Sequence, residues 1–169
     1  EILGAARAQI AGAAQTHDAE RALASGLDAL AEPAGKPKEL TPENIERIGH
    51  IFAHDSVEAI VAALDADGSE WARAQRATLA TKSPQTLKVA FRQLREGAKM
   101  HSFADEMRQE YRIGARVVRR HDFIEGVRAL IVDKDNTPRW NPPTLDGVTD
   151  AMLDEIFAAL PAGEEWAPL

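Results

Sequence analysis

The sequence predicts a mainly α protein, and three observations carry that prediction. Aromatic residues make up 5% of the 169 positions, and alanine supplies much of the 44% hydrophobic content. Alanine costs least in a helix and fills little volume, which suits closely packed helices better than a sheet sandwich. Helix-start signals, Ser or Thr ahead of Pro or an acid, recur along the chain. The apolar residues then repeat with helical spacing, and no clear strand alternation interrupts them.

In the first thirty residues, Ala22, Leu23, Leu27 and Leu30 mark one helical face after Thr16. EPAGKPKEL (32–40), with two prolines and a glycine, reads as a loop. Thr41-Pro42-Glu43 restarts a helix as N-cap, first helical position and first-turn acid, with Ile45, Ile48 and Phe52 on its apolar side. Ser56 caps the next helix, whose Val57, Ile60, Val61 and Leu64 share a face until DADGS ends it. A further helix runs from Ser69 to Lys82. Ser83-Pro84 repeats the cap-plus-proline signal, and Leu87, Ala90, Phe91 and Leu94 follow at i, i+3, i+4, i+7 until Gly97. Ser102 opens a long helix through Phe103, Met107, Tyr111 and Gly114 to about Arg119. Thr149 caps the last, which carries Met152, Ile156, Phe157 and Leu160.

The stretch HDFIEGVRALIVDKDNTPRW (121–140) holds a histidine, acids and an apolar run. Asp122 and Glu125, three apart before that run, have the spacing of a capping box, which explains both acids without catalysis. Phe123, Ile124, Val127, Leu130 and Ile131 are expected as a buried face, with Asn136, Thr137 and Pro138 ending the element. The β-branched Val127, Ile131 and Val132 leave a strand open for the second half.

Charge and composition exclude several functions. A net charge of −7 without a basic tail argues against nucleic-acid binding. The absence of cysteine removes disulfides and thiol catalysis. No apolar run has membrane-spanning length and no leader pattern is visible, so the expected location is the cytoplasm, away from membranes. The first residue is Glu1, as expected for a piece of a longer polypeptide. His50 and His54 stand one helical turn apart after Glu46, but Ile51 stands where a zinc protease has its glutamate, so no metal site is expected.

Taken in order, SPQTLKVAFRQLREG (83–97) and EYRIGARVVRRHDFIEGVRALIVDKDNTPRWNPPTLDGVTD (110–150) closely resemble the C-terminal part of 3-hydroxyisobutyryl-CoA hydrolases, members of the enoyl-CoA hydratase/isomerase (crotonase) superfamily. S-P-x-x-L-K with R-Q-L, H-D-F-x-E-G-V-R-A, D-K-D-x-x-P-x-W-x-P and V-T-D carry the resemblance, and DSVEAIVAAL (55–64) fits the segment upstream. It is good over 56–160. Residues 1–40 read as a helical linker and 41–169 as the crotonase C-terminal helical region.

The resemblance implies the helical C-terminal portion of an α/β crotonase fold whose ββα core is missing here. It implies an acyl-CoA thioester hydrolase acting in valine breakdown, with coenzyme A as part of the substrate and no separate cofactor. Attack on a thioester carbonyl makes an oxyanion, which two backbone N–H groups from glycine-bearing loops stabilise, while carboxylates handle the water or carry the acyl group. None of the eleven glycines lies within two residues of another, so no such loop exists here. No catalytic residue is therefore expected in this chain, which should be inert alone. Its expected partners are its own N-terminal core, the acyl-CoA and further copies of itself.

One binding residue carries over. Crotonases place a lysine after the E-G-x-x-A helix, near the CoA phosphates, and Lys134 is the nearest match, although the sequence is one residue longer there than the hydratase pattern. Its neighbours Asp133 and Asp135 equally suit a surface ion pair. Lys88, Arg92, Arg95, Arg112, Arg116, Arg119 and Arg120 form a basic stripe that either faces the nucleotide or pairs with Glu96, Asp105, Glu106 and Glu110. Trp140 reads as a loop anchor. An enoyl-CoA hydratase or isomerase, and a non-catalytic helical interaction module, are the alternatives.

Overall fold

The computed structural model describes residues 2–13, 18–29, 40–161 and 163–167, and among these every regular element is helical. None of the described helices is long and apolar enough to cross a membrane. The chain divides into two compact units, Glu1–Thr41 and Pro42–Leu169.

The first unit pairs α1 (Ile2–Ala13) with α2 (Ala19–Asp28). Asp18 starts α2 by accepting the Arg21 amide at 3.3 Å. Ala22 and Leu23 are half-buried and Leu27 is exposed, whereas Leu30, Thr16 and the loop expected over 32–39 lie outside the described residues.

In the second unit, α3 (Pro42–Ile51), α4 (Val57–Asp67), α5 (Glu70–Ala80), α6 (Pro84–Gly97), α7 (Phe103–Val117), α8 (His121–Val127) and α9 (Asp150–Phe157) follow in order. The caps are side-chain oxygens accepting the third amide on, as the sequence predicts: Ser56 from Ala59 at 3.1 Å, Ser83 from Thr86 at 3.0 Å, Ser102 from Asp105 at 3.1 Å and Thr149 from Met152 at 3.3 Å. Gly68 ends α4 at φ 60, a conformation that favours a residue without a Cβ.

Two buried clusters hold this unit together. Ile51, Ile60, Leu64 and Ala72 join α3, α4 and α5, with Trp71, Leu79 and Phe91 packed around them. Val89, Ile113, Val148, Leu153, Ile156 and Phe157 join α6, α7 and α9. Each fully buried aliphatic side chain contributes about 1.5–3 kcal/mol, so both clusters anchor their helices firmly.

Which face each helix buries departs from expectation. On α6 the buried residues are Pro84, Gln85 and Val89, and Leu94 is 76% exposed. Arg92 covers Phe157 at 4.4 Å and Arg95 covers Phe91 at 5.1 Å, so charged side chains cap the apolar contacts while the Ala90 and Leu94 edge stays open. Ile45 on α3 and Phe52 just past its end are likewise exposed.

The stretch 121–140 departs furthest. Arg119 and Arg120 amides close a turn onto Arg116 and Val117, and α8 begins at His121 with Arg120 as its uncapped first flank. Asp122 is thus inside the first turn, and the capping box is not formed. The expected buried face is exposed as well, at Phe123, Ile124, Leu130 and Ile131. Beyond α8 the chain forms neither a strand nor an α-helix but a π turn, Arg128–Val132, in which the Asp133 amide reaches Arg128 O at 2.8 Å.

Candidate functional site

The open side of α6, together with α8 and the π turn, walls a groove of about 660 Å³. Its apolar lining is Leu87, Ala90, Phe123, Val127, Leu130 and Ile131, with Trp140 and Pro138 along one rim. A concave, mostly apolar surface with few polar groups is what ligand sites generally present.

Contacts made by Asp122 and Trp140 set the shape of the groove. Asp122, 6% exposed, accepts a hydrogen bond from the Ser83 hydroxyl and another from the Asn141 amide at 2.8 Å. The start of α6, the start of α8 and the returning loop are therefore tied at one carboxylate. Trp140 donates its indole N–H to Thr81 O at 3.2 Å, as expected of a loop anchor. The Trp140 ring packs beside Gly126 of α8, where an added Cβ would meet it at 3.5 Å, an ordinary van der Waals contact.

Below the groove, Arg128 gathers the loop after α8. Its Nε and Nη2 donate to the two Glu125 oxygens at 2.8 Å each. Nη1 donates to Asp133 and Asp135 at 2.7 Å each. Glu125 also accepts the Arg139 amide at 2.8 Å, and Asp135 accepts the Thr137 amide at 2.9 Å. Arg128 first, then the Arg139 N–H, holds the Glu125 carboxyl down at about 2. Arg128 and the Thr137 N–H likewise hold Asp135 at about 2. The three carboxylates in turn raise Arg128 above its ordinary value.

Lys134 lies in the middle of this loop at φ 55, with Asn136 at φ 54. Both flanking aspartates are taken by Arg128, so the expected Lys134 ion pair is not made, and no carboxylate among the described residues pairs with it. Lys134 is exposed.

The basic stripe is mostly consumed by structure. Lys88 pairs with Glu58 at 2.6 Å, Arg92 with Glu96 and Asp154 at 2.7 Å, Arg112 with Glu165 at 2.8 Å and Arg120 with Glu155 at 2.8 Å. Arg116 donates to Ile156 O near the end of α9 at 3.3 Å and to the carbonyls just past it, Ala158 at 2.6 Å and Ala159 at 2.8 Å. Of the acidic partners expected, Glu96 is used, whereas Asp105 takes Arg108. The His50 and His54 rings meet edge-on at 6.2 Å, and no set of three potential metal ligands occurs among the described residues.

The polar groups lining the groove are Thr81, Lys82, Ser83, Thr86, Asp122 and Asn136. The one carboxylate of the lining is committed to Ser83 and Asn141, and no histidine is among the lining residues. The Ser83 hydroxyl touches that carboxylate, but both are buried and bound into the helix starts, Ser83 capping Thr86 and Asp122 holding Asn141, so the surface suits binding and orienting an apolar group. Sequence reasoning missed the Arg128 hub, although Glu125 and Arg128 at i, i+3 were a legible pair.

The sequence model of the enoyl-CoA hydratase/isomerase family matches residues 3–157. Proteins named 3-hydroxyisobutyryl-CoA hydrolase, mitochondrial, are similar: that of Danio rerio is 46% identical over 118 residues, covering 70% of this chain and 31% of that protein. The Gallus gallus protein is 47% identical, covering 70% of this chain and 30% of its own length. That of Dictyostelium discoideum is 39% identical over 124 residues, covering 73% of this chain and 32% of its own. This chain therefore spans 30–32% of these relatives.

Among solved structures, a carnitinyl-CoA dehydratase from Mycobacterium thermoresistibile superposes with a TM-score of 0.68 at 34% identity, over 85% of this chain and 42% of that one. An enoyl-CoA hydratase from Rhodobacter sphaeroides 2.4.1 gives 0.70 at 26% identity, over 86% and 43%. The helical composition and the crotonase resemblance agree with these findings. The cytoplasmic expectation does not: the relatives are named mitochondrial, which points to the mitochondrion. That expectation rested on the lack of a leader pattern, and a chain spanning so little of its relatives does not report on a leader.

Proposed function

Because this chain belongs to the enoyl-CoA hydratase/isomerase family, we propose that it is the helical C-terminal portion of an acyl-CoA thioester hydrolase. The whole protein cleaves 3-hydroxyisobutyryl-CoA to 3-hydroxyisobutyrate and coenzyme A, a step in valine breakdown. Water adds to the thioester carbonyl, the C–S bond breaks, and the thiol leaves with a proton. The oxyanion donors and the carboxylates for this belong to a crotonase core outside this chain.

The observation that carries the hydrolase reading is the 38–47% identity to proteins named for that hydrolysis, against 34% and 26% to the dehydratase and the hydratase. The groove supports the division of labour. Phe123, Leu130 and Ile131 present apolar surface with nothing over it among the described residues. Such surface suits a cover closing on the acyl-CoA site and on the core. Lys134, exposed and unpaired, contacts the CoA phosphates as a point charge. An enoyl-CoA hydratase or isomerase is the second reading, favoured by the fold-level match to a hydratase.

The test is to follow thiol release when the whole protein meets 3-hydroxyisobutyryl-CoA. Silence at saturating substrate, together with hydration of an enoyl-CoA, would replace the first reading by the second. Lys134→Ala should raise KM for the CoA thioester about tenfold, equivalent to losing roughly 1.4 kcal/mol of charge-assisted contact, and leave kcat nearly unchanged. An unchanged KM returns Lys134 to the surface.

A further inference from the structure

The sequence sets Lys134 between two aspartates, an arrangement that should neutralise it. The structure shows otherwise, because Asp133 and Asp135 both accept from the same Arg128 nitrogen. Building on the reading of Lys134 as the phosphate contact, we propose that Arg128 is the positioning residue for substrate binding: it withdraws both aspartates from Lys134 and holds the turn that presents the ammonium to the CoA phosphates.

Three features of the geometry make Arg128 the organiser rather than a bystander. Its guanidinium engages Glu125 with two parallel bonds, which fixes the plane of the fork on α8. Its own carbonyl accepts the Asp133 amide across the π turn, so backbone and side chain close the same loop. The loop then carries two non-glycine residues in the left-handed region, Lys134 and Asn136, a conformation that persists where surrounding contacts over-determine it. Asn136 completes the turn through its amide to Ala129 O at 3.1 Å and its side chain to Lys134 O at 3.2 Å.

The placement of the acids bears on the same conclusion. Glu125, Asp133 and Asp135 would face an anionic phosphate with three negative charges beside one lysine. Arg128 offsets one of these charges and hydrogen-bonds all three carboxylates, while Lys134 is exposed with no carboxylate paired to it among the described residues. Without Arg128, the nearest carboxylates for Lys134 are its own neighbours in sequence.

The experiment compares a CoA thioester with the matching pantetheine thioester, which has no phosphate, on the whole protein. Arg128→Ala should raise KM for the CoA thioester about as far as Lys134→Ala does, with kcat changed less than about twofold. KM for the pantetheine thioester should not move. The double variant should be no worse than Lys134→Ala alone, since both remove one contact. Should Arg128→Ala fail to fold, Arg128→Lys supplies the charge without the fork and should still raise KM. Adding Asp133→Asn and Asp135→Asn to it should restore KM by removing Lys134's competitors.

Equal rises for both substrates, multiplying effects in the double variant, or no restoration would each overturn the proposal. If Lys134→Ala raises KM and Arg128→Ala does not, the Arg128 inference alone falls. If Lys134→Ala itself leaves KM unchanged, the phosphate reading falls and takes the inference with it.

Discussion

Replacing Asp122 by alanine separates two accounts of the same acid. As a helix cap, which the spacing of Asp122 and Glu125 suggests, its loss would cost about 0.5–2 kcal/mol. In the structure it is buried and accepts from the Ser83 hydroxyl and the Asn141 amide. Hydrogen bonds to a charged group contribute roughly 1.5–3 kcal/mol each, so two of them, with the half-buried Asn141 amide partly recovered by water, give about 3–4 kcal/mol. Urea unfolding at constant m-value reads the difference directly. Asp122→Asn keeps an acceptor for Asn141 and lets the Ser83 hydroxyl turn to accept instead, so it should fall between wild type and alanine. Ser83→Ala should cost less in the Asp122→Ala background than alone, by about 1.5 kcal/mol, because one shared bond is then already gone. A loss of about 1 kcal/mol for Asp122→Ala, with effects that simply add, would refute the tie and restore the capping box.

Other outcomes follow from burial and charge. Leu64→Ala, at a side chain 0% exposed, should destabilise this chain by about 2–5 kcal/mol in urea unfolding, whereas Leu94→Ala should change it by less than about 0.5 kcal/mol. An equal cost for both would mean that the Leu94 edge of α6 is not open. The Arg128 clamp also has a pH signature. Glu125 and Asp135 titrate lower when folded, at about 2, than their ordinary 4.5 and 3.8. Their contribution is therefore fully present above the ordinary carboxylate range and is lost as pH falls through about 2. Carboxyl-carbon NMR should show both midpoints near 2, and Arg128→Ala should return them toward 4.5 and 3.8. Midpoints unmoved by that substitution would remove Arg128 as the cause.

Local chemistry was legible in the sequence and neighbourhood was not. Ser56, Ser83, Ser102 and Thr149 cap their helices because the acceptor and its amide lie three residues apart, within reach of any sequence reading. Apolar periodicity on α6 and α8 correctly indicated helices, yet the stripes through Leu94, Leu130 and Ile131 are exposed, because periodicity marks a face without supplying what covers it. Asp122 failed for a related reason: D-x-x-E reads the same in or out of a cap, and the turn at Val117–Arg120 decided where α8 begins. The loop at Lys134 depended on a π turn and two left-handed residues, neither of which carries a glycine signal. The groove, assembled from segments more than thirty residues apart, became visible only when α6 and α8 met.

The central claim is that these helices shape and cover an acyl-CoA site while the bond is broken elsewhere. Thiol release from 3-hydroxyisobutyryl-CoA, measured side by side for the 169-residue chain and for the whole protein, tests it most directly. The account predicts release by the whole protein and none above the uncatalysed rate from the chain alone. Turnover by the chain alone would contradict it.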